Sequence, residues 1–216
     1  MTLPTASPPT LEAVKLTRRF GVTEALKGCD LRLSGAGVWA LTGRNGAGKT
    51  TLLRALSGAL SATEGEVWVC GERMYPGSRA RRHIGLAPEL SLYAQELTAT
   101  EHLEQMAALR GMSAREAGVG EALEVCELEG WATHRVSALS RGTRQRLSVA
   151  CALLGAPPVL LLDEPSASLD PHQRQGLAAL VTRLSEARLI LLSTHDLDLL
   201  AQLSAQRLII EGGRLE

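Results

Sequence analysis

The sequence predicts an α/β fold: a mostly parallel sheet flanked by helices, with an N-terminal antiparallel β layer and a helical insert near the middle. Three observations predict it. A glycine-rich loop joins an apolar, strand-like run to a helical one over residues 38–56. Over residues 159–193 strand, helix and strand patterns alternate, as they do where parallel strands are linked by crossover helices. Between these regions, residues 89–139 take on helical character.

Met1 to Pro9 holds three prolines and has neither the basic nor the apolar region of a signal peptide, so residues 1–10 are expected to be a flexible tail on a cytosolic protein. From Leu11 to Thr42 the pattern is that of strands. It is clearest where Cys29, Leu31 and Leu33 alternate with Asp30, Arg32 and Ser34 at the period of a half-buried sheet. Val67 and Val69 alternate with Glu66 and Trp68 in a further strand, and Ile84-Gly85-Leu86-Ala87 reads as a buried one stopped by Pro88. Thr98-Ala99-Thr100-Glu101 and Ser113-Ala114-Arg115-Glu116 have the capping-box form that opens helices, and Gly111 marks the expected end of the first. After Ser140, the positions Leu147, Ala150, Cys151 and Leu154 recur at helical spacing up to Gly155 and Pro157-Pro158. Val159 to Asp163 and Leu189 to Ser193 read as buried strands, with Leu177, Leu180, Val181 and Leu184 on one helical face between them. One domain is expected over 11–216, its core at about 11–88 and 141–216 and its helical subdomain at about 89–140.

With 216 residues the chain is long enough to bury a core without disulfides or metal. Its 23 basic residues balance 23 acidic ones, so nothing in the bulk charge points to nucleic acid or an anionic membrane surface. Cys29, Cys70, Cys126 and Cys151 form no metal-ligand spacing and read as reduced core residues. The apolar runs Val159–Leu162 and Leu189–Leu192 are four residues each, against the roughly 20 a membrane helix needs. His83, His102, His134 and His172 are scattered without ligand spacing, and are expected at the surface or in supporting positions. Arg79, Arg81 and Arg82 read as a solvated loop.

The stretch Gly43-Arg44-Asn45-Gly46-Ala47-Gly48-Lys49-Thr50, continued by Thr51, is the strongest chemical signal. Backbone N–H groups converge on two anionic phosphates only in a tight turn with few side chains. Gly43, Gly46 and Gly48 supply permissive positions, Lys49 reaches the β- and γ-phosphates, and Thr50 offers its hydroxyl to Mg²⁺ at a helix N-terminus. This is the loop of a P-loop NTPase core. Val159 to Leu162 run into Asp163 and Glu164, which places two carboxylates at the end of a buried strand where phosphates sit in such sheets. One acid would hold Mg²⁺ and the other activate water. Alone, an Asp-Glu pair after a strand is often only a helix cap; the phosphate loop is what makes it chemical.

Leu139-Ser140-Arg141-Gly142-Thr143 just ahead of that strand resembles the signature motif of ATP-binding cassette ATPases, whose usual form is Leu-Ser-Gly-Gly-Gln. Ser168-Leu169-Asp170 resembles the family's D-loop, and Thr194-His195-Asp196 its switch-histidine segment. The resemblance runs from about Leu11 to Glu216. Phe20, 23 residues before Gly43, matches the aromatic position that stacks on adenine, although taken alone it reads as a core residue. Glu89 stands where the family's Q-loop has glutamine; it keeps an oxygen for Mg²⁺ or water and adds a charge that alters metal affinity. Arg141 and Thr143 replace glycine and glutamine, whereas Ser140 and Gly142, which resemble the γ-phosphate contacts, are kept.

The resemblance implies that two cassettes pair head to tail, with a homodimer favoured and a different cassette with a degenerate site the alternative. Each ATP would lie between one subunit's Lys49 loop and the other's Ser140 and Gly142. Glu164 would be the general base, His195 would contact the γ-phosphate, Asp170 would link the two sites, and Mg²⁺ would be held by Thr50, Asp163 and Glu89. A membrane permease would be the partner, its short helix received near Glu89 to Leu97, where Leu90, Leu92, Tyr93 and Leu97 are apolar, and the cassette would sit on the inner face of the membrane. Packing beneath the insert is an equal reading for each of those four residues. Arg144-Gln145-Arg146-Leu147 resembles exporter ATPases, and export is favoured because the chain ends soon after Glu211 and the Gly212-Gly213 turn. Heme export is a variant. A soluble mechanochemical ATPase acting on ribosomes or DNA is the alternative class, and a phosphate-loop kinase would leave Ser140 and His195 unexplained. The transported substrate cannot be read from an ATPase that does not line the pathway.

Overall fold

The computed structural model describes residues 8–89, 93–167 and 169–216. In chain order, β1 (Thr10–Phe20), β2 (Thr23–Ser34) and β3 (Gly37–Thr42) lead into α1 (Lys49–Leu56). β4 (Glu64–Val69), β5 (Glu72–Met74) and β6 (Ile84–Ala87) follow, then α2 (Ala99–Leu109), α3 (Val119–Val125) and α4 (Arg141–Leu153). The chain closes with β7 (Val159–Asp163), α5 (Pro171–Ser185), β8 (Leu189–Ser193), α6 (Leu197–Gln202), β9 (Gln206–Glu211) and β10 (Arg214–Leu215).

Two sheets result. The first is antiparallel, in the order β2-β1-β4-β5; the second runs β10-β9-β3-β8-β7-β6 and is parallel except for β10. Every residue of β7 and β8 is buried, the continuous apolar pattern of strands covered on both faces. The period of two divides β3 between two cores. Val38 and Ala40 join Leu160, Leu162, Ile190 and Leu192 beneath the helices α2 to α5. Trp39 and Leu41 face the other way, with Leu161, Leu191, Leu52, Leu56 and the buried face of the antiparallel sheet. The phosphate loop is thus mounted on a strand clamped from both sides.

Several expectations are corrected. The expected tail does not reach residue 10, because Thr10 pairs with Ser34 in β1 and its carbonyl accepts from the Cys70 N–H; residues 1–7 lie outside the described set. Helix does not begin near Glu89: residues 93–97 are irregular, and α2 opens only at the Thr98–Glu101 capping box. The Ser113–Glu116 box also forms, with Ser113 N 2.8 Å from Glu116 Oε2, but it heads only a turn. Gly118 at φ +68° stops it and α3 starts afresh. His102 is not at the surface. It is 3 % exposed, its ring tilted 58° against that of Tyr93 at 5.4 Å, and burial pushes its pKa down. Phe20 is not core but 47 % exposed, with the Arg18 guanidinium 4.5 Å over its ring. All four cysteines are free, yet Cys70 is only half-buried, in the β4–β5 turn. Arg79 to His83 form a 3₁₀ turn, and Arg82 is paired with Glu72 rather than merely solvated.

Candidate nucleotide site

The loop from Gly43 to Gly48 is wedged between two backbones. A Cβ at Gly48, whose φ is +110°, would lie 2.8 Å from the Ala25 carbonyl, and one at Gly43 would lie 2.3 Å from the Ile210 carbonyl. Only glycine fits such approaches. The C-terminal hairpin holds the loop from below: Gly213 N donates to Ala47 O at 3.1 Å and Gly213 O accepts from Lys27 N at 2.8 Å. No side chain caps α1, and its first turn has no acidic residue. Its leading N–H groups are therefore left for an anion, as the helix dipole favours.

Around this loop the carboxyl ends of β3, β7 and β8 assemble a polar cluster. Lys49, 7 % exposed, places Nζ 2.9 Å from Gly43 O and 3.4 Å from Glu164 Oε1. Asp163 is 1 % exposed, and its Oδ1 accepts from Thr50 Oγ1 at 3.1 Å and from Ser193 Oγ at 2.7 Å. Glu164 has φ +46°, a left-handed conformation for a non-glycine residue, and its N–H is shared between Ser193 O (3.1 Å) and Oγ (2.9 Å). The second carboxylate oxygen, Oε2, lies 2.9 Å from His195 Nδ1. A cleft of about 390 Å³ opens here, lined by Arg44, Asn45, Gly46, Gly48, Lys49, Thr50, Thr51, Glu89, Glu164 and His195. Ala47 is buried under the loop.

Ser140, Gly142 and Asp170 are not brought to this cleft. Ser140 and Gly142 line a separate cavity of about 120 Å³ together with Thr143, Leu169 and Gln173, and Asp170 follows Leu169 directly in the chain. Ser140 is the N-cap of α4 and Asp170 the N-cap of α5. Gln173 joins the two helix starts. It completes the Asp170 capping box, and its side chain covers Gly142, where a Cβ would lie 2.7 Å from its Nε2. Sequence reasoning missed Gln173, although Asp170-Pro171-His172-Gln173 has the capping-box form with proline at the first helical position. It also missed Ser193, whose only signal was a hydroxyl ending an apolar strand. Ser168, Leu90 and Leu92 lie outside the described residues.

A glycine loop between strand and helix, a buried lysine, and an Asp-Glu pair at the end of β7, one strand removed from β3 across β8, define a phosphate-loop nucleoside triphosphatase. Comparison with known proteins makes this specific. Residues 26–167 match the family described as ABC transporter. The chain is 35 % identical to the Nod factor export ATP-binding protein I of Paraburkholderia xenovorans, over 94 % of this chain and 68 % of that protein. It is also 35 % identical to an uncharacterized ABC transporter ATP-binding protein, YxlF, of Bacillus subtilis, over 95 % and 69 %. Similarity to the human phospholipid-transporting ATPase ABCA7 is 34 % over 96 % of this chain, which spans only 10 % of that protein's length. Among solved structures, an ATP-binding cassette dimer in a post-hydrolysis state with ADP and Pi superposes with TM-score 0.82 at 25 % identity, covering 95 % of this chain and 96 % of that one. A nucleotide-free cassette from an ABC transporter gives 0.84 at 21 % identity, covering 96 % and 89 %, a likeness of fold alone. The chain belongs to the ABC transporter family, as an ATP-binding and ATP-hydrolysing cassette.

Proposed function

We infer that this cassette powers export through a separate membrane permease, by ATP-driven pairing with a second copy of itself. One observation carries the reading: the residues that would grip the γ-phosphate fall in two places on one chain, the Lys49–Glu164–His195 cleft and the Ser140–Gly142 helix start, which line different cavities. Two copies joined head to tail would complete two sites. The export direction is supported by the relatives whose names carry Nod factor export. Among the described residues no helix is long and apolar enough to cross a membrane, so transport would need a partner.

The geometry supplies a mechanism. Arg44 to Thr51 would wrap the phosphates while Phe20 stacks on the base. Arrival of a γ-phosphate gives Lys49 a stronger anionic partner than Glu164, which releases Oε1 to accept a proton from the attacking water. His195, on Oε2, holds the carboxylate and presents its other ring nitrogen outward. Thr50 and Asp163 offer hard oxygens of the kind Mg²⁺ prefers, and Glu89 lines the same cleft. Among the described residues no group of three His, Cys, Asp or Glu side chains is arranged as a metal cage, so phosphate and water oxygens would complete the set. Bound there, Mg²⁺ would neutralise charge developing on the transferred phosphoryl group. Asp170, at the start of α5 beside Gly142, would relay occupancy between the two sites.

Affinity purification from detergent-solubilised host membranes tests the transport reading. A co-purifying polytopic permease is the expected result. Ribosomal or DNA-associated proteins without a membrane partner would overturn it in favour of a soluble mechanochemical ATPase.

A further inference from the structure

Ser140 Oγ receives two contacts from a single residue three positions along α4. The Thr143 backbone N–H donates to it at 3.2 Å, and the two hydroxyl oxygens lie 2.8 Å apart. A hydroxyl has one proton and two lone pairs. Once the Thr143 N–H has taken one lone pair, the direction of the O–H···O contact decides what Ser140 presents to the cavity in front of it. If Ser140 donates to Thr143, its proton is consumed and a lone pair faces outward, which repels an anion. If Thr143 donates, both lone pairs are satisfied and the Ser140 proton points outward.

We propose that Thr143 is a positioning residue for ATP turnover: its hydroxyl donates to Ser140 and frees the Ser140 proton for the terminal phosphate held by a second copy of the chain. This rests on the reading above that Ser140 faces that phosphate. An arriving anion selects the arrangement in which Thr143 is the donor, and the chain of hydrogen bonds polarises the Ser140 O–H and strengthens it. β-Branching restricts the Thr143 side chain to few rotamers in a helix, so its hydroxyl stays on the cap. Gly142 puts no side chain between the pair and the roughly 120 Å³ cavity they line. Thr143 occupies the place where the family's usual signature has glutamine, so the device belongs to this chain.

A double-mutant cycle on the full-length chain tests it, combining Ser140→Ala with Thr143→Val. Steady-state hydrolysis is one readout; ATP-driven dimerisation in the Glu164→Gln background, followed by light scattering, is the other. Thr143→Val keeps the backbone N–H that caps the helix, so the nucleotide-free melting temperature stays put. Turnover and dimerisation fall roughly three- to tenfold, as expected for one hydrogen bond, while ATP binding to the monomer is unchanged. Thr143→Ser recovers most of the loss, and the valine effect disappears once residue 140 is alanine. A valine effect of the same size in the Ser140→Ala background overturns the proposal, as does a Thr143→Val protein indistinguishable from wild type while Ser140→Ala is impaired. Should Ser140→Ala itself change neither readout, the reading of Ser140 fails, and this one with it.

Discussion

Glu164 occupies a left-handed backbone conformation at φ +46°, which costs a non-glycine residue on the order of 1–3 kcal/mol and persists only where its surroundings enforce it. Ser193 enforces it through two acceptors for the Glu164 N–H, and the turn delivers the carboxylate between Lys49 and His195. Replacing Glu164 by glutamine keeps the shape and removes the base. ATP binding should survive while phosphate release slows by roughly 10²- to 10³-fold; near-normal turnover would remove Glu164 from its role. Glu89 adds a carboxylate to a cleft whose floor already holds Glu164 and Asp163. Glu89→Gln should therefore raise the Mg²⁺ concentration for half-maximal hydrolysis several-fold, and a lower requirement would show that Glu89 does not attract the cation. His102 is buried, its Nδ1 without a hydrogen-bond partner. Its folded-state pKa lies below the usual 6.5, so the unfolded chain takes up a proton first and stability should fall as pH drops below 6.5. His102→Leu should flatten that part of a urea-midpoint profile. At this scale Lys49 and Thr50 were legible from the spacing of the phosphate loop, and Asp163 from the buried run it ends once that loop was recognised. Ser193 and the burial of His102 were not, because each depends on a partner distant in sequence.

Helices α4 and α5 begin side by side, and their junction is a packing contact rather than a salt bridge. The Gln173 side chain lies on Gly142, and Gln173 in turn caps the N-terminus of α5. Gly142→Ala should push Gln173 off Asp170. Asp170 still caps the Gln173 N–H, so one hydrogen bond, from Asp170 N to Gln173 Oε1, is lost at about 0.5–1.5 kcal/mol, which for a chain of this size lowers the melting temperature by about 2–4 °C per kcal/mol. Calorimetry on the nucleotide-free protein checks it, and an unchanged melting temperature would mean that Gln173 relaxes freely. Most elements were legible because strands and helices here keep their periods: β3, β7 and β8 are uninterrupted apolar runs, and α4 ends at Leu153, two residues before the Gly155 that its pattern marks. The failures have local causes. The capping box at Ser113 is genuine, but Gly118 adopts a left-handed conformation five residues later and divides the helix. Residues 93–97 remain irregular although Tyr93, Ala94 and Leu97 are spaced as on a helix face. The contact of α4 with α5 was invisible, since nothing in either helix alone says which glycine lies under which side chain.

On the scale of the molecule, two sheets and a C-terminal hairpin hold the phosphate loop rigid, while the helix starts that carry Ser140 and Asp170 line a different cavity. The sequence announced both halves through motifs read in order; their separation was implied only by the resemblance, since it is a property of the folded surface that no single motif carries. That separation is the basis of the central claim, that two copies complete each other's sites. Mixing two inactive variants tests it most directly. Lys49→Ala disables the loop side and Ser140→Ala the helix side, so each homodimer has no complete site. In a head-to-tail heterodimer one site collects both lesions and the other collects none. Random pairing should therefore restore about a quarter of wild-type hydrolysis, half the dimers being mixed and each carrying one intact site of two. A mixture as inactive as its components would contradict the account and place the Ser140 contribution within its own subunit.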